Sequence, residues 1–158
     1  MMIRPWMVIA VVIVAIASLS TAIRPQDIRW FNRQRRPPWL TFERLIPLFW
    51  SIIFVAGGIS AHEVWQANPG QGATWARMAG YVLLELLIVA YSPVMFWCRN
   101  LRVGTLIGWT GWGWGIILAL WIAPVSTTAV IFLVPYLIWA PIGSITTWQM
   151  EKLNRTRF

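Results

Sequence analysis

Residues 104–148 read GTLIGWTGWGWGIILALWIAPVSTTAVIFLVPYLIWAPIGSITTW, a stretch without a single Lys, Arg, Asp or Glu. A hydrocarbon core of about 30 Å is crossed by roughly 20 helical residues, so this run is long enough for two crossings. Ala123-Pro124-Val125-Ser126 divides it, because a proline there cannot continue the preceding helix and forces a tight turn. Two antiparallel membrane helices, at about 104–123 and 126–148, are the reading. Working outward, three more apolar runs of spanning length stand at about 5–23, 44–66 and 74–98. Backbone groups in lipid must be satisfied internally, so the expected fold is all-α, a single domain forming a five-helix transmembrane bundle.

Composition agrees. The chain is 58% hydrophobic and 11% charged, against about 25% charged in soluble domains. A formal charge of +8 would suit nucleic acid, but the basic residues sit in short segments between apolar runs. Membrane orientation and anionic headgroups account for that placement, so lipid is the expected surroundings and no nucleic acid is expected. One cysteine, Cys98, and one histidine, His62, argue against a metal site.

Five crossings put residues 24–44, 99–103 and the C-terminus on one side. That side holds Arg24, Arg29, Arg33, Arg35, Arg36, Arg44, Arg99, Arg102, Lys152, Arg155 and Arg157, leaving only Arg4 and Arg77 opposite. The positive-inside rule then places the N-terminus outside and the C-terminus in the cytoplasm.

Thirteen tryptophans divide by position. Trp6, Trp65, Trp75, Trp97 and Trp148 fall near span ends, where the interface explains them. Trp109, Trp112, Trp114 and Trp121 belong to the fourth span, which also carries Gly104, Gly108, Gly111, Gly115 and Ala119 as one stripe of small residues. Such stripes let membrane helices approach closely, here within the bundle or between subunits. Trp30 and Trp39 mark the loop at about 24–43, readable as a basic interfacial tether or as a lid. Trp50 and Trp139 lie at mid-span, readable as core fillers or as walls of a cavity for a flat guest. Glu85 is the carboxylate nearest the middle of a span, with Ser92 on its helical face. An intramembrane acid is a functional-site hypothesis by default, set against a carboxyl bonded silently to another helix.

At the first loop the chain resembles the TspO/MBR family, the translocator proteins or tryptophan-rich sensory proteins. The resemblance rests on Trp30-Phe31, Arg36-Pro37-Pro38-Trp39, Pro47-Leu48-Phe49-Trp50, Tyr91-Ser92-Pro93-Val94-Met95-Phe96 and Pro135-Tyr136-Leu137-Ile138-Trp139. Three departures stand out. Ile88 occupies the place of a family asparagine, and Ile142-Gly143-Ser144-Ile145-Thr146-Thr147 replaces the family's ending of helix five. The tyrosine of the sterol motif near the C-terminus is also missing.

The resemblance implies a pocket between the helices for porphyrins or other hydrophobic ligands. Its walls would be Trp50, Trp139, Tyr136, Tyr91, Ser92 and Gly143, with Trp30 and Trp39 at the mouth. Glu85 would supply, one helical turn earlier, the polar group that Ile88 does not offer, and Arg35, Arg36 and Arg44 would pair with propionates. No cofactor is obligatory; porphyrin or haem would be a ligand. A binding or sensory role leads, with transport of tetrapyrroles or lipids, or light-dependent tetrapyrrole breakdown, as alternatives. A homodimer through Ala76-Arg77-Met78-Ala79-Gly80 is the implied assembly.

Overall fold

The structure, a computed structural model, describes residues 4–155; Arg157, counted above on the basic side, lies outside the described residues. The helices in order are α1 (Pro5–Ser18), α2 (Pro25–Asn32), α3 (Ile46–Ala67), α4 (Gly72–Cys98), α5 (Leu101–Ile122) and α6 (Thr127–Asn154). Helices α3 to α6 are each long and apolar enough to cross a membrane. The fifth crossing is α1 with its 3-10 continuation Leu19–Thr21, from which α2 bends by 75°. The protein is an integral membrane five-helix bundle.

The first crossing stops short of residue 23 for a chemical reason. Hydroxyls of Ser18, Ser20 and Thr21 bond back to the carbonyls of Ala15, Ala17 and Ser18 at 2.6, 2.6 and 2.7 Å. They take over acceptors that the next helical turn would use. Pro25 then starts α2 at its first position, where a missing N–H costs nothing. The segment expected as a plain loop over 24–43 therefore begins with a helix.

Tight links join the remaining helices. Arg99 adopts a left-handed conformation (φ 47°) that closes α4, and Asn100 caps α5 by accepting the Arg102 N–H at 3.0 Å. Ser126 caps α6 by accepting the Ala129 N–H at 3.1 Å. Around the bundle each helix packs on the next in the order α1, α3, α6, α5, α4, returning to α1.

The small-residue stripe on α5 faces inward. A Cβ at Gly104 would strike Met95 of α4, and one at Gly108 would strike Ser144 of α6 and crowd Tyr91 of α4. Gly111 and Gly115 both make room for Tyr136 of α6. Two of the α5 tryptophans also turn inward: Trp112 donates to the Leu137 carbonyl at 3.0 Å and Trp114 to the Gly80 carbonyl at 2.9 Å. Trp109 and Trp121 remain exposed on the lipid side. Gly80 packs against Leu118 and Trp121 of the same chain, so the segment read as a dimer contact spends its glycine inside the bundle.

Candidate ligand site

Residues 25–45 form the segment readable as a lid, and it is fastened at several points. Asp27 of α2 is buried, and its carboxylate accepts from the Arg99 guanidinium at 3.2 and 3.3 Å. Asn154 of α6 holds the Arg35 backbone from both sides, accepting its N–H at 3.0 Å and donating to its carbonyl at 3.3 Å. The Trp39 indole N–H donates to Gln149 Oε1 at 2.5 Å. Within the lid, Arg36 donates to the carbonyls of Phe31 (2.9 Å) and Gln34 (2.7 Å) and pairs with Glu43 at 3.3 Å. Trp30 and Phe31 pack on Phe96, with ring centroids 6.4 and 4.7 Å away.

Under this lid lies a cavity of about 190 Å³ between α3, α4, α5 and α6. Six residues read from the sequence converge on it: Trp50, Tyr91, Ser92, Tyr136, Trp139 and Gly143. The Tyr91 hydroxyl donates to the Gly143 carbonyl at 3.1 Å, bridging α4 to α6 while its ring forms the wall. Trp139 is held between Phe49 and Phe42, at 4.5 and 6.2 Å between centroids. Phe42 and Leu40 bring the lid itself into the cavity wall.

Other expected contacts lie elsewhere. Trp30, Trp39, Arg35, Arg36 and Arg44 line neither cavity. Trp30 and Trp39 are latches, because their apolar or N–H groups are engaged by Phe96 and Gln149. The Arg36 guanidinium is turned into the lid, while the side chains of Arg35 and Arg44 are exposed. Glu85 lines a second cavity of about 360 Å³ toward the opposite end of the bundle. Ile88 and Tyr136 are shared by both cavities and separate them.

Phe42, Phe49 and Leu40 were not among the sequence candidates. Phe49 lies on α3 within the Pro47-Leu48-Phe49-Trp50 motif, next to Trp50, while Leu40 and Phe42 carry no signal beyond their place just before α3.

The model of the TspO/MBR family matches residues 7–153, nearly the whole chain. The chain belongs to the TspO/MBR family. Its similarity to individual members is modest but extends end to end. It is 26% identical to the membrane protein YtaB of Bacillus subtilis, over 92% of this chain and 95% of that one. It is 24% identical to the translocator protein of Ovis aries, over 85% and 80% of the two chains. It is 23% identical to the tryptophan-rich sensory protein of Cereibacter sphaeroides, over 89% and 85%. Family membership and the apolar helices make this a multi-pass membrane protein in a lipid environment.

Proposed function

We propose that the protein binds porphyrins or similar flat hydrophobic ligands in the lidded cavity and acts as a membrane sensor. The observation that carries this reading is the convergence of Trp50, Trp139, Tyr91 and Tyr136 on one cavity whose wall includes Leu40 and Phe42 of the fastened lid. Aromatic faces stack on a macrocycle, and the few hydroxyls around them set its orientation. Arg35 and Arg44, exposed on the lid, pair with propionates through charge-assisted hydrogen bonds, while Arg36 keeps the lid folded.

Size adds a condition. Pockets for drug-sized ligands span about 300–1,000 Å³, and this cavity holds about 190 Å³ with Phe42 against Trp139. A macrocycle is therefore admitted only when the lid swings outward and Phe42 leaves Trp139. The lid side faces the cytoplasm in this proposal, and the N-terminus lies outside, because the basic residues gather at the lid end.

Titrating the purified protein with protoporphyrin IX and following tryptophan fluorescence tests the reading. Saturable quenching that weakens in Trp50→Phe and Trp139→Phe supports it. Quenching identical in wild type and both variants would reduce it to partition into detergent or lipid.

A further inference from the structure

Glu85 is a buried acid within a membrane-spanning helix of this bundle. Its side chain is only 9% exposed, it faces the larger cavity of about 360 Å³, and its Oε1 has no hydrogen-bond partner. None of the ion pairs among the described residues includes it. The other charged side chain of α4, Arg77, is turned over the Trp121 ring at 5.9 Å. The Tyr81 hydroxyl, on the same cavity wall, is committed to Ser60 Oγ at 2.5 Å. A buried carboxyl oxygen without a partner is costly, and in a membrane segment such a group marks a pathway or a site.

Apart from Glu85, Tyr81 and Tyr136 the walls around it are mainly aliphatic and aromatic, with α1, α3, α4 and α6 all contributing. The volume lies within the range of pockets that enclose drug-sized ligands. The cavity's far end is framed by Pro5, Trp65 and Trp75, at the start of α1, the end of α3 and the start of α4. That is the end opposite the lid. Helix α1 buries none of its residues, so it is the wall that yields most readily. Gly57 leaves open space beside it, since a Cβ there would meet nothing within 4 Å.

We propose that this second cavity is a binding site for lipophilic amines: an apolar body fills the space between α1 and the bundle, and its ammonium N–H donates to Glu85. A cationic amphiphile answers both features of the cavity, since its body matches the walls and its N–H supplies the missing partner for Oε1. The site is reached from the end opposite the lid, and it stands independently of the porphyrin reading.

The test uses the full chain in phosphatidylcholine nanodiscs with tritiated propranolol, a lipophilic secondary amine, as the probe. Saturable binding above that of protein-free nanodiscs is expected in wild type. Glu85→Gln, which keeps the shape and removes the charge, should weaken it at least tenfold. Gly57→Phe, which fills the cavity without touching the carboxyl, should abolish it. N-acetylated propranolol, lacking the cation, should not compete. Wild-type affinity in Glu85→Gln, retained binding in Gly57→Phe, equal competition by the acetylated form, or the absence of saturable binding would each overturn the proposal. Protoporphyrin quenching in the same variants reports separately on the lidded cavity, so failure of one site is distinguishable from failure of the other.

Discussion

The indole N–H of Trp112 on α5 donates to the main-chain carbonyl of Leu137 on α6 at 3.0 Å. That carbonyl would ordinarily bond to the N–H four residues on, but position 141 is a proline inside α6 and has none. One side chain thus repairs the gap that a proline leaves in a neighbouring membrane helix. Trp112→Phe should destabilise the bundle by about 1–3 kcal/mol, the cost of an unsatisfied buried acceptor. Pro141→Ala should remove most of that cost, because its N–H can serve Leu137 directly. A double-mutant cycle measured by reversible unfolding in mixed micelles checks the coupling; strict additivity would refute it.

Gly115 packs directly on the Tyr136 ring, with Cε1 2.6 Å from where a Cβ would stand. Gly115→Ala should therefore cost about 1–3 kcal/mol through overpacking and disturb a residue shared by both cavities. Gly113, two residues away, would place its Cβ in open space. Gly113→Ala should be neutral or stabilising by up to about 1 kcal/mol, as helix propensity alone predicts. Thermal unfolding of the pair in one detergent separates the two.

The Asp27–Arg99 pair fastens α2 to the end of α4, with the carboxylate buried and the guanidinium half-exposed. Asp27→Asn should weaken this fastening by about 1–2 kcal/mol, because a hydrogen bond to a charged group is exchanged for a weaker one to a neutral amide. Trypsin cleavage at Arg33 or Arg35 should accelerate roughly fivefold to thirtyfold, the population change that such an energy implies. Unchanged cleavage would show that the lid is held by the Asn154 and Gln149 contacts alone.

Occupancy of the lidded cavity can be moved in both directions. Gly143 lines it, and a Cβ there would meet nothing within 4 Å, so Gly143→Leu should fold normally and lower protoporphyrin affinity at least tenfold. Phe42→Ala removes the lid ring from Trp139 and should speed protoporphyrin association several-fold. Stopped-flow quenching reads both effects; association unaltered in Phe42→Ala would rule out the lid as the gate.

Cys98 is exposed at the last position of α4, on the lid side. As the only cysteine of the chain, it reports topology without engineering. A membrane-impermeant maleimide should label it in inverted membrane vesicles and not in intact cells. The reverse pattern would place the lid outside.

Much of this was legible because membrane helices announce themselves by length and apolarity. The run from 104 to 148 and its Ala-Pro-Val-Ser break determine α5 and α6 without reference to the rest of the chain. Motif matches also placed Trp50, Tyr91, Ser92, Tyr136 and Trp139 together, since each sits on a regular helix whose phase can be counted. Glu85 escaped the same logic. It shares a helical face with Ser92, but seven residues of helix rise by about 10 Å, and Ile88 and Tyr136 close the space between them. The lid residues escaped for a different reason: Trp39 and Arg36 lie where the chain has no fixed period, and Trp30 sits on α2, a short helix in a segment expected to be loop.

By itself, then, the amino-acid order determined how many times the chain crosses the membrane, where proline and glycine break the helices, and which helices carry the aromatic residues. These follow from solvation and backbone chemistry along one segment at a time. Only the tertiary structure decided that Glu85 lines a different cavity from Trp50 and Trp139, that Trp30 and Trp39 latch the lid rather than line either cavity, and that Trp112 completes a neighbouring helix. Each of those depends on which face of one helix meets which face of another, a relation between segments that no single segment contains.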